Sequence, residues 1–293
     1  MFRRLLLALC LAILPFGSAH AALKVAASTP DLASIAASVG GANVEVFAIA
    51  RPGSDPHRIE ALPSTMLKVS RAQLYLKVGL GLDQWADAIL DGSRNSKLVL
   101  VDCSRGVRVL EKPTGKVDAS MGDVHPDGNP HYWLDPRNGA IVARTLADAF
   151  GKADPANAAA YRTRAEAFAR DAEATWKRVA DAAAKLPSRE VFTYHRSWTY
   201  FADAFGLDVV DTVEPVPGIP PTAKHLAELV TQARARKVGL LIQEPYFPVD
   251  GGRFLAREAA VRQIVQAGSC DAPTAGSYLQ HFDAVMAALA GGK

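Results

Sequence analysis

A long helical stretch in the middle of the chain constrains the fold more than any other feature of the sequence. Residues 155–186 are rich in Ala, Glu, Arg and Lys, and Pro155 suits the first position of a helix. At 1.5 Å per residue, about 32 helical residues would span roughly 48 Å, which exceeds the width of a small domain. We therefore predict that this helix contacts both halves of the chain and joins them stiffly.

Short apolar segments alternate with helical patterns on both sides of this stretch. The segments that we interpret as strands are 23–28, 44–49, 74–78, 98–101, 190–194, 209–213 and 238–243. A helix predicted over 252–266 and a last helix over 277–289 follow them. Strands that are separated by helices are typical of parallel βαβ units. The pattern predicts an α/β fold of two similar lobes with mostly parallel sheets, joined by one long helix.

The same pattern divides the chain into a signal peptide and three structural parts. We assign residues 1–21 to the signal peptide, 22–137 to the N-terminal α/β lobe, 138–187 to the helical connection and 188–293 to the C-terminal α/β lobe. The signal peptide is indicated by a basic start, an apolar run and an Ala-His-Ala cleavage site. We therefore expect the mature protein to be secreted into the periplasm, without stable insertion into a membrane.

The charge of the mature chain argues against polyanionic partners. Its net charge is +1, because Arg3 and Arg4 are removed from 33 basic residues while 30 acidic residues remain. A net charge this small gives no electrostatic reason to expect binding to nucleic acid or to an anionic membrane surface. Cys103 and Cys270 remain in an oxidising compartment, where a disulfide is permitted. Whether they pair is left open by the sequence, because pairing requires their Cα atoms to lie close together.

Three histidines stand in rigid loops or at strand ends. His131 lies in Asn-Pro-His-Tyr-Trp-Leu-Asp-Pro, where each proline holds the residue before it in an extended conformation. His57 ends the segment Gly-Ser-Asp-Pro-His, and His195 directly follows a predicted strand. In open α/β lobes, ligands bind outside the carboxyl ends of the strands. Neutral imidazole is the commonest metal ligand, and three of them with one carboxylate suit Zn²⁺.

The other histidines have simpler interpretations. His20 is removed with the signal peptide, and His225 and His281 are predicted on helix surfaces. His125 lies in a loop rich in Gly and Asp, where solvated side chains are the rule. A capping or packing role would also explain His57 if it were taken alone.

The chain resembles the periplasmic metal-binding proteins of zinc and manganese ABC importers, the group with a rigid helix between two lobes. The similarity is carried by segments 53–72, 77–85 and 129–136, and by His195 with the residues that follow it. It covers essentially the whole mature chain. The resemblance implies two α/β lobes, a metal ion held between them and delivery of that ion to a membrane permease.

The resemblance also implies a set of metal ligands. Three are His57, His131 and His195, and the fourth is usually an Asp followed three residues later by Gly. Here the candidate is Asp271, without that Gly, and Glu244 is the alternative fourth ligand. If Asp271 is the ligand, Glu244 would orient an imidazole by accepting its other N–H. Two departures are Asn129, where the family usually has Asp, and a loop that holds only His125 where zinc-specific relatives carry many histidines.

These residues favour high-affinity Zn²⁺ capture for an ABC importer by a monomeric protein that is not an enzyme. A histidine rather than a carboxylate at the third position favours Zn²⁺ over Mn²⁺. The alternatives are an Mn²⁺ or Fe²⁺ carrier of the same importer type and, in a different class, a secreted zinc hydrolase with Glu244 as general base. Against a hydrolase, the sequence contains no H-E-x-x-H motif. The loop at residues 111–128 contains one histidine, so we predict no auxiliary metal site there.

Overall fold

The fold is taken from a computed structural model that describes residues 21–115, 117, 122 and 124–291. The predicted signal peptide lies outside the described residues except for Ala21. None of the helices in the described part of the chain combines the length and apolar character needed to cross a membrane.

The N-terminal lobe is a parallel sheet with helices packed against it. Its strands are β1 (Leu23–Ala27), β2 (Val44–Ala48), β3 (Leu74–Lys77) and β4 (Val99–Asp102), and its helices are α1 (Pro30–Gly40), α2 (Pro63–Val69) and α3 (Ala86–Ser93). The strand order is β2-β1-β3-β4. Helix α1 starts at Pro30, which suits its first turn, and the Thr29 hydroxyl caps it by accepting a hydrogen bond from the Leu32 N–H.

Two helices form the connection between the lobes. They are α4 (Pro136–Ala153) and α5 (Ala158–Ala183), with a 3-10 turn at Pro155–Asn157 between them. The long predicted helix is therefore shorter at both ends, and its 26 residues span about 39 Å. Helix α5 packs on α4 and α1, and it also contacts two helices of the C-terminal lobe.

The C-terminal lobe repeats the architecture of the first. Its strands are β5 (Glu190–Thr193), β6 (Asp208–Thr212), β7 (Leu240–Gln243) and β8 (Arg262–Val265), and its helices are α6 (Thr199–Phe205), α7 (Ala223–Arg236), α8 (Asp250–Ala259) and α9 (Ser277–Ala290). The strand order is β6-β5-β7-β8, again parallel throughout. The predicted α/β fold of two lobes joined by a long helix is confirmed.

The helix predicted over residues 252–266 is wrong in its second half. Helix α8 ends at Ala259 because Ala260 adopts a left-handed conformation with φ +56°. The chain then turns back into the sheet, where Ile264 pairs with Ile242 of β7. The periodicity of this segment suited a helix, but pairing with β7 and burial of Ile264 determine its structure.

One hydrophobic cluster runs through the connection into both lobes. It includes Leu32 of α1, Phe150 of α4, Tyr161 of α5 and Phe282 of α9, all essentially buried. Helix α9 of the C-terminal lobe also contacts α1 of the N-terminal lobe directly. The lobes therefore share a core, and the cleft between the carboxyl ends of their strands has a stiff base.

Candidate metal centre

Three imidazoles meet between the two lobes. The ligand atoms of His57, His131 and His195 all lie within 4.8 Å of one another. Their ring centroids are separated by 5.1, 5.3 and 5.5 Å. His131 and His195 are buried, and His57 is nearly so. The structure thus brings together the three histidines that the sequence singles out, with two from the N-terminal lobe and one from the C-terminal lobe.

The segment around His131 is held by contacts to both lobes. A 3-10 turn at Tyr132–Leu134 follows it, and the Tyr132 hydroxyl donates to the carbonyl of Val78 at 2.9 Å. The Trp133 indole N–H donates to the carbonyl of Gly268 in the other lobe at 2.7 Å. These bonds leave the His131 backbone little freedom, so the imidazole has a fixed position.

His57 and His195 are positioned by the ends of strands. His57 lies in the loop that leaves β2, where the Trp85 indole N–H donates to the carbonyl of Pro56 at 2.9 Å. His195 follows β5 by two residues, at the carboxyl end of a central strand of the second sheet. This is the end of a parallel sheet at which ligands bind.

Each imidazole is oriented by an oxygen atom at its Nδ1. The partners are Asp55 Oδ1 for His57 at 2.9 Å, Asn129 Oδ1 for His131 at 3.0 Å and Glu214 Oε2 for His195 at 2.8 Å. The Asn129 oxygen is assigned by its amide nitrogen, which donates to Glu111 Oε2 and to the carbonyl of Arg196, both at 2.8 Å.

These partners determine which ring nitrogen is available to a metal ion. Oxygens that can only accept require a proton on Nδ1, so Nε2 carries the lone pair of the neutral ring. The Nε2 atoms of His57 and His131 are buried and make no hydrogen bond with any residue that the structure describes. Two unsatisfied buried acceptors at one place fit a metal ion that binds both.

The electrostatic surroundings keep His131 in its metal-binding form. Burial, and then the positive charge that His57, His195 and His125 would carry, hold the pKa of His131 well below its ordinary value. Burial works to raise the pKa of Asp55, but hydrogen bonds from His57 outweigh it and lower that pKa. Neutral imidazoles beside an ionised acceptor are the state that a dication needs.

The orienting residues were not predicted from the sequence. Orientation of an imidazole had been assigned to Glu244, and that assignment is wrong, because Asp55, Asn129 and Glu214 accept the Nδ1 protons. Two of the three have a local signal, since each stands before Pro-His and also accepts the backbone N–H of its histidine. Glu214 is 19 residues from His195 and has no local signal.

Neither carboxylate predicted as fourth ligand belongs to the histidine group. Asp271 is exposed, and its negative charge acts to raise the pKa of His281. Glu244 follows β7 and is fully buried, and burial raises its pKa to about 8 against the lowering effect of the nearby Ser197 hydroxyl. Its two carboxyl oxygens make no hydrogen bond with the described residues. The identity of the fourth ligand stays a prediction.

Two histidines differ from their predicted surroundings. His281 was expected on a helix surface, but it is 5% exposed, and burial lowers its pKa to about 4. His125 was expected in solvent, but it is half-buried and stacks on His57 with ring centroids 5.4 Å apart. His225 is half-buried on α7 and hydrogen-bonds the carbonyl of Thr212 at 2.8 Å.

Cys103 and Cys270 are buried free thiols, so the permitted disulfide is not formed.

Comparisons with known proteins agree with this architecture. The family described as zinc-uptake complex component A periplasmic, ZnuA, matches residues 25–292. The metal ABC transporter substrate-binding lipoprotein SsaB of Streptococcus sanguinis is 26% identical over 233 residues, which are 76% of this chain and 72% of that protein. The manganese-binding lipoprotein MntA of Halalkalibacterium halodurans is 26% identical over 190 residues, 64% of this chain and 59% of that protein.

A crystal structure of ZnuA has the same fold. It superposes with a TM-score of 0.79 at 25% identity and covers 92% of this chain and 98% of its own. The relatives thus include proteins named for zinc uptake and for manganese binding. Because the family match extends over nearly all of the described residues, the chain belongs to the ZnuA family, the metal-binding components of ABC importers.

Proposed function

We propose that this protein captures Zn²⁺ with high affinity in the periplasm and delivers it to the permease of an ABC importer. The observation that carries the proposal is the convergence of His57, His131 and His195, each with its Nδ1 bonded to an oxygen acceptor. A metal ion would replace the missing partners of the buried Nε2 atoms. Transport requires no chemical change of the ion, so the proposal includes no catalytic step.

The donor set supports zinc as the transported ion. Nitrogen ligands suit Zn²⁺, whereas Mn²⁺ prefers carboxylate and carbonyl oxygens. Within the described ranges, the group that could hold a metal contains imidazoles alone. The runner-up is Mn²⁺ or Fe²⁺, since one relative is named for manganese. Competition titrations with a chelator at fixed pH compare the metals, and tighter binding of Mn²⁺ than of Zn²⁺ would contradict the zinc proposal.

The three histidines are expected to act as direct ligands. His57→Ala, His131→Ala and His195→Ala should each weaken Zn²⁺ binding by more than about 100-fold, the upper end of the loss caused by removing an outer hydrogen-bond partner. His225→Ala is the control, because that imidazole is partly buried like His57 but bonds to the carbonyl of Thr212, away from the group of three. Equal affinities for the His131→Ala protein and the control would refute the site.

The two carboxylates predicted from the sequence stay candidates for the fourth metal ligand. Asp271 is exposed, and Glu244 would have to lose its proton, since its pKa is about 8. Zn²⁺ affinities of Asp271→Ala and Glu244→Ala, measured side by side from pH 6 to pH 9, test both. Direct ligation predicts a loss comparable to that of the histidine variants, and unchanged affinity removes the candidate.

Cellular context forms the rest of the proposal. We infer that the signal peptide is cleaved after Ala21, that the mature protein is monomeric, and that its partner is a membrane permease. N-terminal sequencing of the periplasmic protein and light scattering of the purified protein check the first two points. A zinc hydrolase is not favoured, because a general base at Glu244 with a pKa of about 8 would be mostly protonated at neutral pH. Hydrolysis of peptide, phosphoester or lactam substrates by the zinc-loaded protein would reverse this judgement.

A further inference from the structure

We propose that His125 supplies a fourth imidazole to the metal ion held by His57, His131 and His195, a proposal that rests on the function proposed above. The His125 ring stacks on His57 at 5.4 Å with an interplanar angle of 26°. This separation equals those within the group of three, which are 5.1 to 5.5 Å. His125 therefore already lies at the edge of the metal centre.

The His125 ring is only slightly farther from His131 than the rings of the group are from one another. The centroids of His125 and His131 are 6.5 Å apart, which is 1.0 Å more than the separation of His131 and His195. His125, His131 and His195 together line a cavity of about 40 Å³. This free volume leaves room for a small movement of the His125 ring. A shift of about 1 Å towards His131 would bring His125 as close to it as His195 is.

The loop around His125 holds its ring on the side that faces His57. The N–H of Gly128 donates to the carbonyl of His125 at 3.1 Å and closes a turn through Pro126. On the opposite side, Gly81 has φ +81°, and a Cβ atom there would lie 3.5 Å from His125 Nδ1. The chain at Gly81 therefore lies directly beside the ring, and His125 Nε2 is shielded from solvent.

The carboxylates compete poorly for the same position. Asp271 is exposed, and Glu244 is a buried acid whose neutral form is favoured. Zn²⁺ in a closed site takes four protein ligands in a tetrahedron, so three imidazoles leave one position to fill. Of the described residues, His125 is the imidazole outside the group whose ring lies within 7 Å of two of its members.

A fourth neutral donor has consequences for selectivity. Four imidazoles leave the full charge of +2 on the bound centre, whereas a carboxylate would reduce it to +1. Purely nitrogen donors discriminate against Mn²⁺ more strongly than a mixed nitrogen and oxygen set. Four imidazoles therefore favour Zn²⁺ and similar late transition metals.

X-ray absorption spectroscopy of the zinc-loaded mature protein counts the imidazoles directly. We expect four in the wild type and three in His125→Ala. We also expect His125→Ala to lose more than about 10-fold in Zn²⁺ affinity. His125→Phe is the matched control, because it keeps an aromatic ring against His57 but has no donor nitrogen. It should lose as much affinity as His125→Ala.

The outcomes separate this inference from the proposed function. A wild-type count of three imidazoles overturns the inference, and so does a His125→Phe protein with wild-type affinity, which would show that the ring only packs on His57. In either case Zn²⁺ binding that depends on His131 leaves the proposed function intact. If the wild type and His131→Ala bind Zn²⁺ equally weakly, the proposed function fails and the inference fails with it.

Discussion

The side-chain amide of Asn129 links three parts of the chain, and the structure predicts that Asn129→Asp destabilises this protein. The Asn129 amide nitrogen donates to Glu111 Oε2 and to the carbonyl of Arg196, both at 2.8 Å. Asn129→Asp keeps the oxygen that orients His131 but removes both donated bonds. It also brings a second carboxylate against Glu111.

The magnitude follows from these contacts. Each lost hydrogen bond contributes about 1 kcal/mol, so the free energy of unfolding should fall by about 2 kcal/mol. Repulsion between the two carboxylates adds to this loss, because Asn129 is buried and its side chain lies 2.8 Å from Glu111 Oε2, so about 2 kcal/mol is a lower bound. For a chain of this size, about 2 kcal/mol corresponds to a decrease in Tm of roughly 4–8 °C.

Thermal unfolding of the metal-free protein at pH 7.5 measures the effect without a contribution from bound zinc. In the double variant with Glu111→Gln, the new amide can donate to the carboxylate at position 129, so about half of the loss should be recovered. Glu111→Gln alone still accepts from Asn129 and should change the Tm little. A wild-type Tm for Asn129→Asp, or no recovery in the double variant, would show that these bonds do not hold the segment.

Three further predictions follow from other contacts. Burial raises the pKa of Asp31 from 3.8 to about 7, so the stability that its neutral form contributes is complete below pH 3.8 and is lost as the pH rises through about 7. Asp31 should account for about 4 kcal/mol of the fall in the free energy of unfolding over this range, and Asp31→Asn should remove that part in denaturant titrations while the part from Glu244 stays; an unchanged pH dependence contradicts the assignment. Glu214→Gln should weaken Zn²⁺ binding by about 10- to 100-fold in competition titrations, because Glu214 orients His195, and an unaltered affinity would exclude that role. The radius of gyration in solution scattering should be the same with and without zinc, because α5 packs on both lobes, and contraction like that of a hinged sugar-binding protein would refute this.

The parts of the fold that were predicted from the sequence are those decided by local pattern. Seven strands were predicted because apolar runs alternate with helical segments, and the last helix was predicted close to its observed bounds. Strand β8 was missed because Ala260, which ends α8, is an alanine in a conformation that usually selects glycine. The sequence therefore contains no stop signal at this point, and only pairing with β7 reveals the strand.

In the site, too, the residues with a local sequence signal were predictable and those that depend on tertiary packing were not. His57, His131 and His195 stand out because prolines and strand ends restrict their backbones. Asp55 and Asn129 could have been found from the repeated pattern of an Asx residue before Pro-His. The partnership of Glu214 with His195 could not, because it depends on how β5 and β6 lie side by side in the sheet. Burial of His281 likewise depends on where α9 packs.

The shared core determines how such a site exchanges metal. Opening the lobes as rigid bodies would expose the cluster that includes Phe150, Tyr161 and Phe282, and each large side chain brought into water costs about 1.5–3 kcal/mol. It would also break the bond from the Tyr278 hydroxyl to the carbonyl of Trp133 at 2.6 Å. The loop that carries His57, by contrast, is only partly buried. The least costly route for the ion therefore passes through displacement of this loop, while His131 and His195 stay in place. On the proposed assignment of His57 as a ligand, a permease that pulls the loop away would remove this ligand and weaken binding without unfolding either lobe.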